Sequence, residues 1–225
     1  MLGNILITGG SSGLGLATAE AVAKAGGRPL VVDVRPSHSF DEVIADLAER
    51  EQAEQAVREL AERAGGLDGV VTAAGIDACG RLSEVPADDW ERVIRVNLMG
   101  TASVVRAALP YLTESRGRVV TCASTLGLRA VSDATAYCAA KFGVVGFTRA
   151  LAAELAGQVC VTMLVPGGMS THFFDDRPEQ YKPGPDAKLN RPEDVAQTIV
   201  FALSQPPGCE VRELVVCPST ETSWP

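Results

Sequence analysis

The sequence predicts an α/β fold, a single doubly wound parallel sheet of about seven strands with helices on both faces. Two observations carry this. Short β-branched runs alternate with longer Ala- and Leu-rich amphipathic stretches from one end to the other, and no internal repeat or low-complexity segment interrupts the order. The 225 residues are 46% hydrophobic and 21% charged, which suits one domain, 1–225, with room for a sizeable core.

The elements follow in order. Residues 4–8 form the first strand, which stops at Gly9-Gly10, and helical periodicity begins directly after, over 14–25. Leu30-Val31-Val32-Asp33 is the second strand and 43–46 the third. Only about a dozen residues lie between Asp33 and Asp46, Pro36 and the polar run 37–41 among them, so a short loop replaces the helix that normally crosses there. Helix 51–64 and strand 69–72 come next, then a long helical pattern over 88–115 and strand 117–122. Helix 134–156, strand 159–164, helix 192–203 and strand 211–217 complete the sheet. Residues 167–190 carry Pro178, Pro183 and Pro185 and are too long for an ordinary connection. They are expected to be a substrate lid or a disordered insert.

Composition removes several classes of function. Lys and Arg total 20 against 28 Asp and Glu, a net charge of −8, so no global basic field gathers nucleic acid or an anionic membrane. No apolar run approaches the roughly 20 residues that span a bilayer. The start lacks a basic segment and an apolar signal core, so a cytoplasmic protein is expected. Six cysteines form no C-x-x-C pair and read as reduced, structural thiols, four of them in apolar stretches. Only His38 and His172 occur, without companions at ligand spacing, so neither a histidine metal site nor a Ser-His-Asp triad is expected.

The first chemical signal is Thr8-Gly9-Gly10-Ser11-Ser12-Gly13-Leu14-Gly15, placed where a strand ends and a helix begins. Glycines there allow the backbone to turn tightly and approach a pyrophosphate at the partly positive helix N-terminus. A plain Gly-Ser turn is the alternative, and the strand context weighs against it. Asp33 ends the second strand, where a carboxylate accepts hydrogen bonds from both adenosine ribose hydroxyls and repels a 2′-phosphate; it reads equally as an acid capping the next loop. Neither Ser12 nor Val34 supplies a cation for that phosphate, although Arg35 lies close by.

With Ser124, Tyr137 and Lys141, this glycine loop resembles the short-chain dehydrogenase/reductase family, whose motif is T-G-x-x-x-G-x-G on a Rossmann-like fold. The resemblance runs through most of the chain. Asp46-Leu47 is similar to the family's acidic site at the adenine, and Ala73-Ala74-Gly75 stands where the family has Asn-Ala-Gly. Asn97 falls at the family's helix-kink asparagine, whose freed carbonyl binds a water leading protons to the lysine. Pro166-Gly167-Gly168-Met169-Ser170-Thr171 resembles the segment closing on the nicotinamide. The resemblance thus implies a cofactor site of Gly9, Ser11, Ser12, Gly13, Leu14, Gly15, Asp33, Asp46, Leu47, Ala73, Ala74, Gly75, Tyr137, Lys141, Pro166, Gly167, Met169 and Thr171, with Asn97, Ser124, Tyr137 and Lys141 catalytic and no metal. Ala73 departs from the pattern, removing an amide that in the family braces neighbouring strands. The ending after 215 is more similar to a branch that includes serine and 3-hydroxy acid dehydrogenases.

Residue chemistry supports the same assignment. Tyr137 and Lys141 are four apart on a helical segment and project from one face. A free tyrosine titrates near pH ~10, and a neighbouring ammonium together with an oxidised nicotinamide favours the phenolate a general base requires. Ser124, just beyond a strand's C-terminal end, is placed to hydrogen-bond and orient a reacting oxygen. An ordinary amphipathic helix with snorkelling side chains is the alternative for the Tyr-Lys pair; a solvent-facing or packed amide is that for Asn97.

The expected activity is hydride transfer between NAD(H), with NADP the less favoured cofactor, and a secondary alcohol or its carbonyl, hydroxy acids and hydroxyacyl compounds included. A noncatalytic NAD-binding regulator on the same fold is the alternative. The family usually pairs through the helices placed here at 88–115 and 134–156, which implies a homodimer or homotetramer, with Trp224 tucked into the assembly.

Overall fold

A computed structural model describes residues 2–221, so Trp224 lies outside the described residues. Seven strands, β1 (Asn4–Thr8), β2 (Arg28–Asp33), β3 (Asp41–Ile44), β4 (Gly69–Thr72), β5 (Arg118–Cys122), β6 (Cys160–Pro166) and β7 (Glu213–Val216), form one sheet in the order β3-β2-β1-β4-β5-β6-β7. Every adjacent pair is parallel. Strand order reverses between β1 and β4, and such a switch opens a crevice beyond the strands' C-terminal ends.

Side-chain alternation along the strands assigns the two faces. Ile5, Ile7, Val31, Val71 and Val120 point to one side, where α1 (Gly13–Lys24) and α6 (Pro192–Leu203) cover them. Leu6, Leu30, Val70, Val119 and Val161 point to the other, beneath α2 (Arg50–Ala64), α4 (Thr101–Ser115) and α5 (Thr135–Glu154). Each fully buried Leu, Ile or Val contributes about 1.5–3 kcal/mol, and the central strands β1, β4 and β5 carry seven such positions: Ile5, Leu6, Ile7, Val70, Val71, Val119 and Val120. Their rigidity fixes the loops at their C-terminal ends.

Three expectations need correction. Strand β3 ends at Ile44 rather than at position 46, because after Ala45 the chain turns to start α2, with the Ala48 N–H donating to Asp46 Oδ1 at 2.9 Å. The 88–115 pattern is not one helix: α3 (Ala87–Ile94) passes through a widened π turn, Arg95–Gly100, before α4 begins. Buried polar bonds occupy that turn. The Asn97 carbonyl takes the Thr101 hydroxyl at 2.9 Å, and the Asn97 amide is committed elsewhere. Of the six cysteines, all free, only Cys122 and Cys138 are buried, and Cys209 is exposed in the turn before β7.

No helix joins β2 to β3, as the short connection requires. On the α1 side of this edge Ile44 is consequently 53% exposed, with only Phe40 folded back onto the core. Among the described residues no helix is long and apolar enough to cross a membrane.

Candidate active site

A cleft of about 1250 Å³ opens at the strand switch and runs from the glycine loop to the 167–190 segment. Gly9, Ser11, Ser12, Gly13, Leu14 and Gly15 line one end with Asp33, Asp46 and Leu47; Ala73, Ala74, Gly75, Ser124, Tyr137 and Lys141 line the middle; Pro166, Gly167, Met169 and Thr171 line the far wall. The fold thus gathers every site residue expected from the sequence except Asn97, which lies behind the wall.

The glycine loop is shaped by backbone contacts. Gly9 has φ +73°, and a Cβ on it would stand 2.8 Å from the Ala74 Cα. A Cβ on Gly15 would fall 2.1 Å from the Gly9 carbonyl oxygen, so helix and loop approach more closely than any side chain permits. Ser12 is the N-cap of α1 but makes no side-chain cap bond, so the helix's first N–H groups face the cleft without that partner. A positive helix end beside a glycine-rich turn suits a pyrophosphate. Asp33 sits at the rim with Oδ2 accepting the Ser11 N–H at 3.0 Å and Oδ1 the Arg35 N–H at 3.1 Å. These bonds orient the carboxylate and leave each oxygen a second lone pair.

Asp46 is more constrained than its sequence position suggests. Arg92, from α3, donates to its Oδ2 at 2.9 Å. Burial pushes the Asp46 carboxyl up, but the Ala48 N–H and the Arg92 guanidinium outweigh it and hold the acid below its usual range. At this end the cleft thus presents an ion pair rather than a free carboxylate.

Ser124 caps a single 3₁₀ turn, Thr125–Gly127, its Oγ accepting the Leu126 N–H at 3.1 Å. That bond turns the hydroxyl toward Tyr137, with which it is hydrogen-bonded. One turn along α5, Lys141 is only 4% exposed, and its ammonium donates to the Cys122 carbonyl at 2.7 Å and stands 5.6 Å from the centre of the Tyr137 ring. Burial lowers the pKa of Lys141. Burial also dominates at Tyr137, and its phenol is pushed up rather than down; Cys122 adds to the rise and the Ser124 hydrogen bond opposes it. Without the charge of an oxidised cofactor, the site therefore favours the phenol.

Asn97 is 1% exposed, and its amide clamps one residue of backbone: Nδ2 donates to the Ile76 carbonyl and Oδ1 accepts the Ile76 N–H, both at 2.8 Å. It therefore braces the segment after β4 that carries Gly75 into the cleft. The loss of an asparagine at Ala73 is partly met by Thr8, whose Oγ1 accepts the Ala74 N–H at 3.1 Å, while the buried Thr72 hydroxyl has no hydrogen-bond partner.

Two lining residues carried no sequence signal. Glu221 reaches the far wall, where its Oε2 accepts the Gly168 N–H at 3.2 Å. Asp77, 100 positions from its partner Arg177, is paired with it inside the cleft. Neither lies within a motif, and long-range pairs leave no local pattern. Among the described residues, no group of three or more His, Cys, Asp or Glu is placed to hold a metal ion.

Comparison with known proteins assigns the chain to a family. A family model described as short chain dehydrogenase matches residues 3–182. The chain is 31% identical over 219 residues to the 3-oxoacyl-[acyl-carrier-protein] reductase FabG of Thermotoga maritima, covering 88% of this chain and 89% of that protein. It is 32% identical over 233 residues to the (2S)-[(R)-hydroxy(phenyl)methyl]succinyl-CoA dehydrogenase subunit BbsD of Thauera aromatica, covering 94% of each. Among solved structures, an alcohol dehydrogenase from Thermococcus sibiricus, complexed with 5-hydroxy-NADP, superposes with a TM-score of 0.83 at 25% identity over 95% of each chain.

Proposed function

The chain belongs to the short-chain dehydrogenase family, and from that premise we propose that it interconverts a secondary alcohol and its carbonyl with NAD(H). One observation carries the reading: the buried Lys141, the Tyr137 ring above it and the Ser124 hydroxyl bonded to Tyr137 converge in a cleft whose other end is a glycine loop at a helix N-terminus. The bound nicotinamide supplies or accepts the hydride. Tyr137 gives a proton to the carbonyl oxygen in reduction and takes it from the hydroxyl in oxidation. Ser124 hydrogen-bonds the same oxygen and aligns it with the tyrosine. Lys141 adds positive charge beneath the ring, and Asn97 acts through others, holding Ile76 and thereby the adjacent wall at Gly75. The 167–190 segment serves as the lid.

Asp33 favours NAD. Its oriented carboxylate suits a ribose diol and repels a 2′-phosphate, whereas Arg35, exposed on the same rim, works in the other direction. The solved relative holding an NADP derivative makes this choice a direct test. Asp33→Ala is expected to narrow the preference for NAD over NADP by about tenfold or more in kcat/KM, the scale of one lost charged hydrogen bond; unchanged discrimination would take Asp33 out of the argument.

The relatives reduce or oxidise acyl-thioester compounds and alcohols, so the substrate panel joins hydroxyacyl thioesters to secondary alcohols and hydroxy acids. Absorbance of the reduced nicotinamide is followed with each cofactor. Turnover of any member supports the reading; tight cofactor binding with no turnover across the panel favours a noncatalytic nucleotide-binding regulator.

We further propose a homodimer or homotetramer, a reading supported by Met99 on the π turn and Phe142 on α5, both large apolar side chains left exposed at 56% and 45%. Sedimentation as a single species near 23.5 kDa at micromolar concentration would reject it.

A further inference from the structure

The 167–190 segment is tied down at two places. At its base, Met169 and Asn190 form a bridge, with the Ser170 N–H on the Asn190 carbonyl at 2.8 Å and the Asn190 N–H on the Gly168 carbonyl at 2.9 Å. Near its middle, Arg177 crosses the cleft to Asp77, just beyond β4, with Nη2 and Oδ2 2.5 Å apart.

The second tie is built from both sides. Asp77 is 3% exposed at its side chain, Oδ1 accepts the Ala78 N–H at 2.7 Å, and Oδ2 also takes the Cys79 thiol at 3.1 Å. Burial and the Asp77 carboxylate push that thiol up to about 12, so it remains a donor. Asp77 follows Ile76, the residue held by Asn97, so its backbone is braced from within the core. On the lid, Arg177 Nη1 donates to the Tyr181 carbonyl at 3.3 Å, and the guanidinium lies 4.7 and 5.2 Å from the ring centres of Phe174 and Phe173. Phe173 in turn packs on Tyr137, ring centres 5.6 Å apart. One chain of contacts thus runs from the end of β4 through the lid to the proposed acid/base.

Stability alone accounts poorly for this arrangement. Arg177 is 16% exposed and its Nε is buried without a hydrogen-bond partner. A buried ion pair with an unmet donor is a weak stabiliser relative to apolar packing of the same volume. Its placement is better explained by what it positions.

We propose that Asp77 and Arg177 are a positioning pair whose ion pair latches the lid against the end of β4 and seats Phe173 on Tyr137, roofing the reacting oxygen with aromatic surface. The catalytic consequence rests on Tyr137 being the acid/base; the latch itself does not. Because Asp77 already neutralises Arg177, the roof it holds down suits an uncharged, apolar substrate body.

The test compares Asp77→Asn, Arg177→Met and the double variant, the last leaving no unpaired charge and so protecting the experiment against misfolding of either single one. Chymotrypsin cleavage after Phe174 and Tyr181 reports lid opening without any need for turnover. Cleavage is expected to be on the order of tenfold faster in all three, with the double variant no faster than the singles, since removing either partner opens the same latch. With an active substrate, kcat/KM is expected to fall about tenfold, chiefly through KM, again equally in all three, and Arg177→Lys is expected to recover part of it. Unchanged proteolysis, or losses that multiply in the double variant, would overturn the latch. An inactive wild type would count against the enzymatic reading while proteolysis still decided the latch.

Discussion

Tyr137→Phe is expected to lower kcat by a factor on the order of 10³ while leaving cofactor affinity within about twofold, because the substitution removes one oxygen and keeps the ring. General acid–base catalysis contributes roughly 10²–10⁴-fold, and no second phenol lines this end of the cleft to replace it apart from Tyr181, whose backbone is held by Arg177 on the lid. The packing that positions Phe173 depends on the ring and survives. The direction of the pH dependence follows from burial. With the Tyr137 phenol pushed above its ordinary pKa, the protonated form predominates in the free protein near neutrality. Carbonyl reduction, which uses the acid form, is therefore expected to hold its kcat/KM across neutrality and fall only in alkaline solution. Alcohol oxidation uses the phenolate and is expected to rise with pH over the same range. Rate profiles in both directions check this; an oxidation rate that is flat from pH ~6 to ~10 would remove Tyr137 from the role of base.

The second large effect is expected at Gly15. Even the methyl group of Gly15→Ala would stand 2.1 Å from the Gly9 oxygen and 2.4 Å from the Gly9 carbonyl carbon. These are backbone atoms, so no side chain can swing aside; either α1 moves or the loop opens. Overpacking typically costs about 1–3 kcal/mol, and contact with rigid backbone puts this site at the upper end, about 3 kcal/mol. Gly9 is also packed on Ala74, so a displaced loop disturbs the opposite wall of the cleft. Urea unfolding and cofactor titration are both expected to register the change, the latter with at least a hundredfold loss of affinity. A variant that binds cofactor normally would show that the tight approach does not shape the pyrophosphate site.

Much of this was legible because the signals are local. A parallel sheet announces itself through apolar runs alternating with helical periodicity, and the strand-to-helix position of Gly9 to Gly15 follows directly. Tyr137 and Lys141 share a helix face by spacing alone. The missing helix after β2 was legible for the same reason, since the residues available between Asp33 and Asp46 set a limit on what can fold there. Boundaries fared less well: β3 ends early because the hydrogen bonds of the turn around Asp46 win over the β tendency of the preceding run.

What the sequence by itself determined is the order of elements and the place of the glycine loop, because each depends on propensity, periodicity or spacing within a short stretch; the candidate residues that line the cleft came from the resemblance of its motifs to a known family. What only the tertiary structure decided is how those residues are held. Asn97 turned inward onto Ile76, Asp46 was taken up by Arg92, burial raised the Tyr137 phenol, and Asp77 found Arg177 across the cleft. Each of these depends on desolvation or on a partner brought close by the packing of distant segments, and neither quantity exists until the chain has folded.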